Sequence, residues 1–410
     1  MKTKNRSLFF KVTIWALLLA PILQIYGFGD TTFSELILYL LIVIGLTKGY
    51  IKLHLPDLLH KYFIYFGLIT VVSCLWGLNE LIPRLLGVIH LFLVFCLFFS
   101  NFEYNYFYKS YKKIAFVIIA IFIAQELSYR TVGVRVSGLV PFFPLVTNFA
   151  EMEGSFTFAE HLSLISRSSS VFSEPAIMTQ YLLPLFAISL FREEKKNRIL
   201  IAGACALTIL LSQSGNGIIG LAVVSAVYAL YYVKKKNSKV LIITVPIACV
   251  MAFSALLYFV GTEMGQDLSG RAVELQDSDN TSEQSSGFFR IYRGYFVYGE
   301  YNVIEMVTGI NNFALIREKI RLCQFAFTFS ENDMYFNTIQ NYLIKTGLIG
   351  LFLYILFLWR QFKKADSCSR SIILTIFVFS FMANIYLSYI MILYLLIPYF
   401  SNNSEICIKK

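Results

Sequence analysis

The residues of this chain that could do chemistry are mostly arginines, and they fall in a few places. The stretch RSSSVFSEPAIMTQYLLP, Arg167 to Pro184, sets an arginine, four serines and a glutamate directly before an apolar run. A carboxylate beside a low-dielectric boundary can serve as a proton acceptor, which makes Glu174 a candidate base. Arg167, a few residues earlier, is placed to pair with it or to hold an anionic ligand. A structural reading stands beside this one: Pro175 suits the first turn of a helix, with Ser173 or Glu174 at its N-cap. Yet a cap does not call for Arg167, and serine would cap at lower desolvation cost. The spacing leaves both readings open. A second group is Arg290 and Arg293 in FFRIYRGYF. On a helix they share a face, where two guanidinium forks suit a pyrophosphate; the competing reading is a solvated or snorkelling basic face.

Composition says what must position these groups. Of 410 residues, 57% are hydrophobic and 15% charged, against about 25% charged in soluble domains. Apolar runs fall at roughly 9–27, 33–48, 61–78, 83–100, 112–127, 175–191, 199–213, 215–233, 240–260, 338–359, 371–386 and 387–400. The expected fold is an all-α polytopic membrane protein, one integral domain over 1–410 with about twelve transmembrane helices. The number drops to eleven if 371–400 is one tilted helix, but Asn384 and Ser388 sit where a turn would be. The first run follows Lys2, Lys4, Arg6 and Lys11 and reads as a span, because no small-x-small cleavage site follows it.

Charge sets the expected sidedness. With the N-terminus inside, the inner loops collect nineteen lysines and five arginines, as the positive-inside pattern requires. The net charge of +10 is therefore a topology signal, and nucleic-acid binding is set aside. The outer side holds nine arginines (Arg84, Arg130, Arg135, Arg167, Arg271, Arg290, Arg293, Arg317, Arg321) and two lysines, Lys319 and Lys345. Topology needs only charge, whereas a planar fork of donors suits phosphate or carboxylate. The bias points to an anionic ligand handled from outside, with ordinary surface composition as the alternative. Two outer segments are long. The first, 128–174, is rich in aromatics and proline, reads as a re-entrant or interfacial piece, and holds His161, the only outer histidine. The second, 261–337, runs from a polar half into a half that reads as one or two amphipathic helices lying over the membrane. Seven cysteines show no CxxC or metal spacing, and only Cys323 lies outside, which argues against a disulfide framework.

Spans with a long outer loop in the second half resemble the Wzy-type polymerases of O-antigen, capsule and exopolysaccharide repeat units, in the superfamily that includes the O-antigen ligases. RSSSVFSEPAIMTQYL is similar to the family's arginine, aromatic-x-Glu-Pro, span arrangement, and FFRIYRGYF to its arginine-bearing loop stretch. FNTIQNYLIKTGLIGLFLYILF resembles the His-Asn-x-x-Leu segment leading into a Gly-x-x-Gly helix; aligned on Gly347 and Gly350, the asparagine is Asn337. The histidine that often precedes it is Phe336 here, so Glu174, His161 and Asp333 are the available substitutes.

The resemblance implies a GT-C-like glycosyltransferase architecture in the bacterial inner membrane with the large loop periplasmic. It implies a growing glycan on undecaprenyl pyrophosphate as donor and a carrier-linked repeat unit as acceptor. Membrane lipids and a polysaccharide chain-length regulator are the further partners. Arg290 and Arg293 would hold the pyrophosphate with help from Arg167, and Glu174 would be the base. Asn337 would position the acceptor. Arg84 would be a further phosphate contact or an interfacial snorkel, and Arg135 and Asp333 complete the substrate-binding set. No cofactor or metal is expected, since arginines can stabilise the leaving group and no Asp-x-Asp motif lies outside. A ligase moving glycan to lipid A core is the first alternative. A polyprenol-linked flippase or other transporter is the second, and its best feature, LSQSGNGIIG at 211–220, is more simply a tight turn with close helix packing.

Overall fold

The computed structural model describes residues 2–75, 78–134, 136–140, 142–147, 167–236, 286–323 and 335–403, with the backbone alone at 2–5, 234–236, 286–290 and 402–403. Helix α1 (Lys2–Leu23) leads into a small hairpin, β1 (Gly27–Phe28) and β2 (Thr31–Thr32), and then α2 (Phe33–Thr47), α3 (Asp57–Ser73), α4 (Leu78–Ser100) and α5 (Tyr104–Val132). After the first long segment come α6 (Pro175–Arg192), α7 (Lys195–Leu211) and α8 (Gly215–Lys236). Three short helices follow, α9 (Ser286–Gly299), α10 (Val303–Thr308) and α11 (Phe313–Leu322). The chain closes with α12 (Thr338–Lys364), α13 (Ser367–Met382) and α14 (Tyr389–Asn403). Eleven of the twelve apolar runs thus carry a helix, and the run at 240–260 lies outside the described residues. Five helices, α1, α4, α5, α8 and α12, are long and apolar enough to cross a membrane. The protein is an all-helical membrane protein in its main architecture. Residues 371–400 form two helices, parted where Leu387 takes a left-handed φ of 52°.

Short connections make consecutive helices antiparallel, so the starts of α6, α8 and α12 and the ends of α7 and α13 share one end of the bundle. Cross-links prove it: Thr179 meets Ser214 at 3.2 Å, and Thr338 Oγ1 donates to the Ala383 carbonyl at 2.8 Å. At the opposite end Arg192 bridges Asp366 (2.9 Å) and Tyr104 (2.8 Å), while Lys112 (2.7 Å) and Tyr108 (2.5 Å) both donate to Glu193. Burial raises the Glu193 carboxyl's pKa, but its bonds to Lys112 and Tyr108 lower it further, and the net shift is downward.

The large core is aromatic and aliphatic and joins α1 to α8 with α12 to α14. Helices α9 to α11 form a layer with a small core of its own, built on Val297, Tyr301, Ile310, Ile316, Ile320 and Phe336. Three helices stand here where one or two are expected. The reason is local: Asn302 caps α10 in a reciprocal box with Glu305, Gly309 ends it at φ 81°, and Asn312 caps α11. The layer lies across the α6-start end. Its anchor is a break in α12, where Gly347 adopts φ 60° and ψ −166°, a conformation essentially reserved for glycine. Backbone crosses backbone there, since a Cβ on Gly347 would lie 2.3 Å from the Val307 carbonyl oxygen. Ile310 N–H donates to the Ile344 carbonyl at 2.8 Å, closing the crossing.

Candidate functional site

Glu174 occupies the N-cap position of α6 and Pro175 its first turn, yet the Glu174 side chain makes no capping bond. It is exposed, and no hydrogen bond or ion pair engages its carboxylate among the described residues. Capping therefore does not explain the acidic side chain. The loop before it is rigid. The Gln125 amide grips Ser170 on both sides, accepting from its N–H (2.8 Å) and donating to its carbonyl (3.2 Å). Ser170 Oγ donates to the Ile118 carbonyl at 2.8 Å, and these bonds hold Ser170 at a φ of 56°. Gly138 packs on the same carbonyl with no room for a Cβ.

Arg167 at the head of this loop is half-buried and donates from Nη1 to the Gln213 carbonyl at 3.3 Å. Gln213 belongs to the α7–α8 turn, itself at φ 53°. The segment LSQSGNGIIG is this turn together with the first part of α8, and its glycines serve contact. A Cβ on Gly217 would reach Thr179 at 2.7 Å, and one on Gly220 would reach Leu183 at 2.4 Å.

Arg293 comes from the layer. It lies on α9 at 5% exposure, which rules out a solvated basic face. The helix places position 290 about one turn earlier. Close seating of α9 on the start of α12 explains Gly294, whose missing Cβ leaves room for the Gln340 side chain. Gln340 Nε2 donates to the Ile291 carbonyl at 2.5 Å, so α12 holds the arginine helix by its backbone.

Asn337 caps α12. Its Oδ1 accepts from Gln340 N–H at 2.9 Å and its Nδ2 donates to the Phe381 carbonyl at 3.0 Å. At 1% exposure with both ends of its amide engaged, Asn337 ties α12 to α13. Phe336 is buried in the layer's core, where its ring packs and offers no proton chemistry.

At the start of α11 Arg84 pairs with Glu80 at 3.2 Å and lies over the Phe313 ring, 3.1 Å from its centroid. Glu80 also accepts from the Phe313 N–H at 2.9 Å. The layer is fastened to α3 nearby, where Asn311 Nδ2 donates to Thr70 at 2.7 Å and Asn312 Nδ2 to the Ser73 carbonyl at 3.2 Å. Arg84, Arg167, Glu174, Arg293 and Asn337 thus all come to one end of the bundle. His161, Arg135, Asp333 and the Arg290 side chain lie outside the described residues.

Sequence reasoning missed three participants: Gln125, Gln340 and Lys345. Only Lys345 carried a signal, as one of two lysines on an arginine-rich side. Among the described residues no group of three or more His, Cys, Asp or Glu is placed to hold a metal ion.

Residues 200–355 match a protein-family model described as O-antigen ligase. This part of the chain is similar to the O-antigen ligase family domain. The domain takes in α8, the layer and the first two-thirds of α12, and with them Arg293, Gln340, Asn337 and the Gly347 crossing. Arg167 and the start of α6 precede it in sequence and meet it in space, through the contacts of Arg167 with Gln213 and of Thr179 with Ser214. O-antigen ligase family members are glycosyltransferase-like ligases and polymerases. No curated protein and no solved structure gives a match to the chain.

Proposed function

We propose that the protein is a repeat-unit polymerase of the bacterial inner membrane. In this reading it crosses the membrane about twelve times, and the end bearing Glu174 and the layer faces the periplasm. The donor is a growing glycan on undecaprenyl pyrophosphate, and the acceptor is one carrier-linked repeat unit. The observation that carries the reading is the Glu174 carboxylate, exposed and without structural duty, beside a rigid loop that presents Arg167.

The acceptor hydroxyl oxygen attacks the anomeric carbon of the donor sugar and gives its proton to Glu174. The bond from that carbon to the pyrophosphate oxygen breaks, its electron pair leaves with the carrier, and the configuration inverts. Charge accumulates on the leaving pyrophosphate, so guanidinium groups held in place before the reaction stabilise the transition state. Arg290 and Arg293 on α9 take that role, with Arg167 assisting. A pyrophosphate leaves without protonation, so no general acid is required. This agrees with a phenylalanine at 336.

The test is turnover by the purified full-length protein, given the carrier-linked repeat unit of its own cell with EDTA present. Lengthening of lipid-linked glycan on a gel is expected, with a large loss for Glu174→Gln and for Arg293→Lys. Binding of substrate without lengthening, together with transfer onto lipid A core, would replace polymerase by ligase.

A further inference from the structure

Between α3, α4, α12 and the turns at 310–313 and 386–387 lies a cavity of about 250 Å³, lined by two cationic side chains, Arg84 and Lys345, with Asn311 and Tyr386. Arg84 of α4 and Lys345 of α12 both lie over the Phe313 ring, 3.1 Å and 5.9 Å from its centroid. Lys345 also lies 5.0 Å from the Tyr386 ring. Among the described residues Lys345 makes no hydrogen bond or ion pair; aromatic faces are its only partners, and they attract a cation without neutralising it. Among the described residues Glu80 is the one carboxylate on Arg84, and it is shared with the Phe313 N–H. The cavity therefore holds two cations against one divided anion. A charge with no counter-ion in such a place marks a ligand of opposite sign.

The neighbouring space says what kind of ligand. On the other flank of Val88 an apolar groove of about 320 Å³ runs between α3 and α4, walled by Ile64, Leu68 and Ile89. It shares Val88 with the cationic cavity. An anion beside an apolar trough fits a phosphate head with a hydrocarbon chain.

We propose that Arg84 and Lys345 bind the pyrophosphate of a polyprenyl carrier, with the first isoprene units in the α3–α4 groove, and that this is the acceptor's carrier. The acceptor assignment rests on the polymerase reading; the binding does not. A polymerase must hold two carriers at once, one cleaved and one kept. Arg167, Arg290 and Arg293 serve the bond that breaks. Arg84 and Lys345 line a cavity that neither Arg167 nor Arg293 lines, and serve a pyrophosphate that stays intact.

The experiment measures undecaprenyl pyrophosphate without sugar, bound at equilibrium to the full-length protein in phosphatidylcholine nanodiscs. Two carriers per protein are expected at saturation. Lys345→Gln should weaken one site about ten-fold or more, as loss of a charge-assisted contact does, while Lys345→Arg keeps it. A carrier carrying a diazirine on its first isoprene unit should label peptides containing Ile64, Leu68 or Ile89. Unchanged binding in Lys345→Gln and in Arg84→Gln, or no labelling of the peptides containing Ile64, Leu68 or Ile89, overturns the proposal. So does displacement by phosphatidylglycerol or inorganic pyrophosphate at equal concentration, which would make the cavity a general anion site. If the wild type never lengthens glycan while Lys345-dependent binding persists, the polymerase reading falls and the carrier site stands. If glycan lengthens and Lys345→Gln binds as the wild type does, only the carrier site falls.

Discussion

Replacing Asn337 separates a residue that positions the site from one that touches substrate. In Asn337→Ala the α12 amide of Gln340 loses its cap acceptor, now 2.9 Å away, which costs about 1 kcal/mol. The Phe381 carbonyl loses its donor at 3.0 Å, and a neutral buried bond contributes about 1 kcal/mol. The remaining approach, Nδ2 to the Ile291 carbonyl at 3.5 Å, is too long to count. The expected loss is about 2 kcal/mol of unfolding free energy, read by titrating the protein with SDS in mixed micelles. Asn337→Ser keeps the cap, cannot reach Phe381, and should lose about 1 kcal/mol. Asn337→Asp also keeps the cap but sets a carboxylate against the Phe381 carbonyl, so it should be worse than serine. Chain-lengthening rates should follow the same order, because Gln340, held by the cap, in turn holds Ile291 and the Arg293 helix. A serine variant as stable as expected but inactive would refute this reasoning. The amide would then act on the acceptor directly.

Gly347→Ala should cost about 3 kcal/mol or more, because alanine resists φ 60° with ψ −166° and its Cβ would meet the Val307 carbonyl oxygen at 2.3 Å; protease cleavage within 299–312 should report the lifted layer. Gln125→Leu leaves both backbone groups of Ser170 without their partner and should cost about 2 kcal/mol, lowering turnover through the Arg167 loop. Glu193→Gln removes the carboxylate that Lys112 and Tyr108 share and should cost about 2 kcal/mol at neutral pH. Its folded pKa lies below the unfolded value of about 4.3, so its stabilisation is complete above that value and is lost as pH falls through the lower one. Unfolding measured from pH 6 to pH 3 should therefore show a smaller acid loss in Glu193→Gln than in the wild type.

What was legible in the chain was legible for local reasons. An apolar run announces a helix, Pro175 announces its start, and Gly347 with Gly350 marks a place where α12 is unusual. What Gly347 does was not legible, because the strand it admits comes from Gly309 and Val307, dozens of residues away. Distance in sequence hid the rest of the site too. Gln125 meets Ser170 from 45 residues away, and Asn311 meets Thr70 across 241. Glu174 shows the limit in the other direction. Its position as N-cap could be read from the following proline, but only the structure separates the position from the bond, which the side chain does not make.

The way the layer is docked bears on how the site can work. Asn311, Asn312 and Gln340 reach between layer and bundle, and Tyr65 donates to the Thr308 carbonyl at 2.8 Å. These are neutral groups; among the described residues Glu80 is the one carboxylate that joins them. The opposite end of the bundle is tied instead by ion pairs, Arg192 with Asp366 and Lys112 with Glu193. A layer fastened by ion pairs would spend its cations on the fastening and would loosen with salt or pH. Amide and hydroxyl bonds do neither. They hold α9 and the 310–313 turn in place while leaving Lys345 without a carboxylate, and that is the condition a site needs to receive a phosphate.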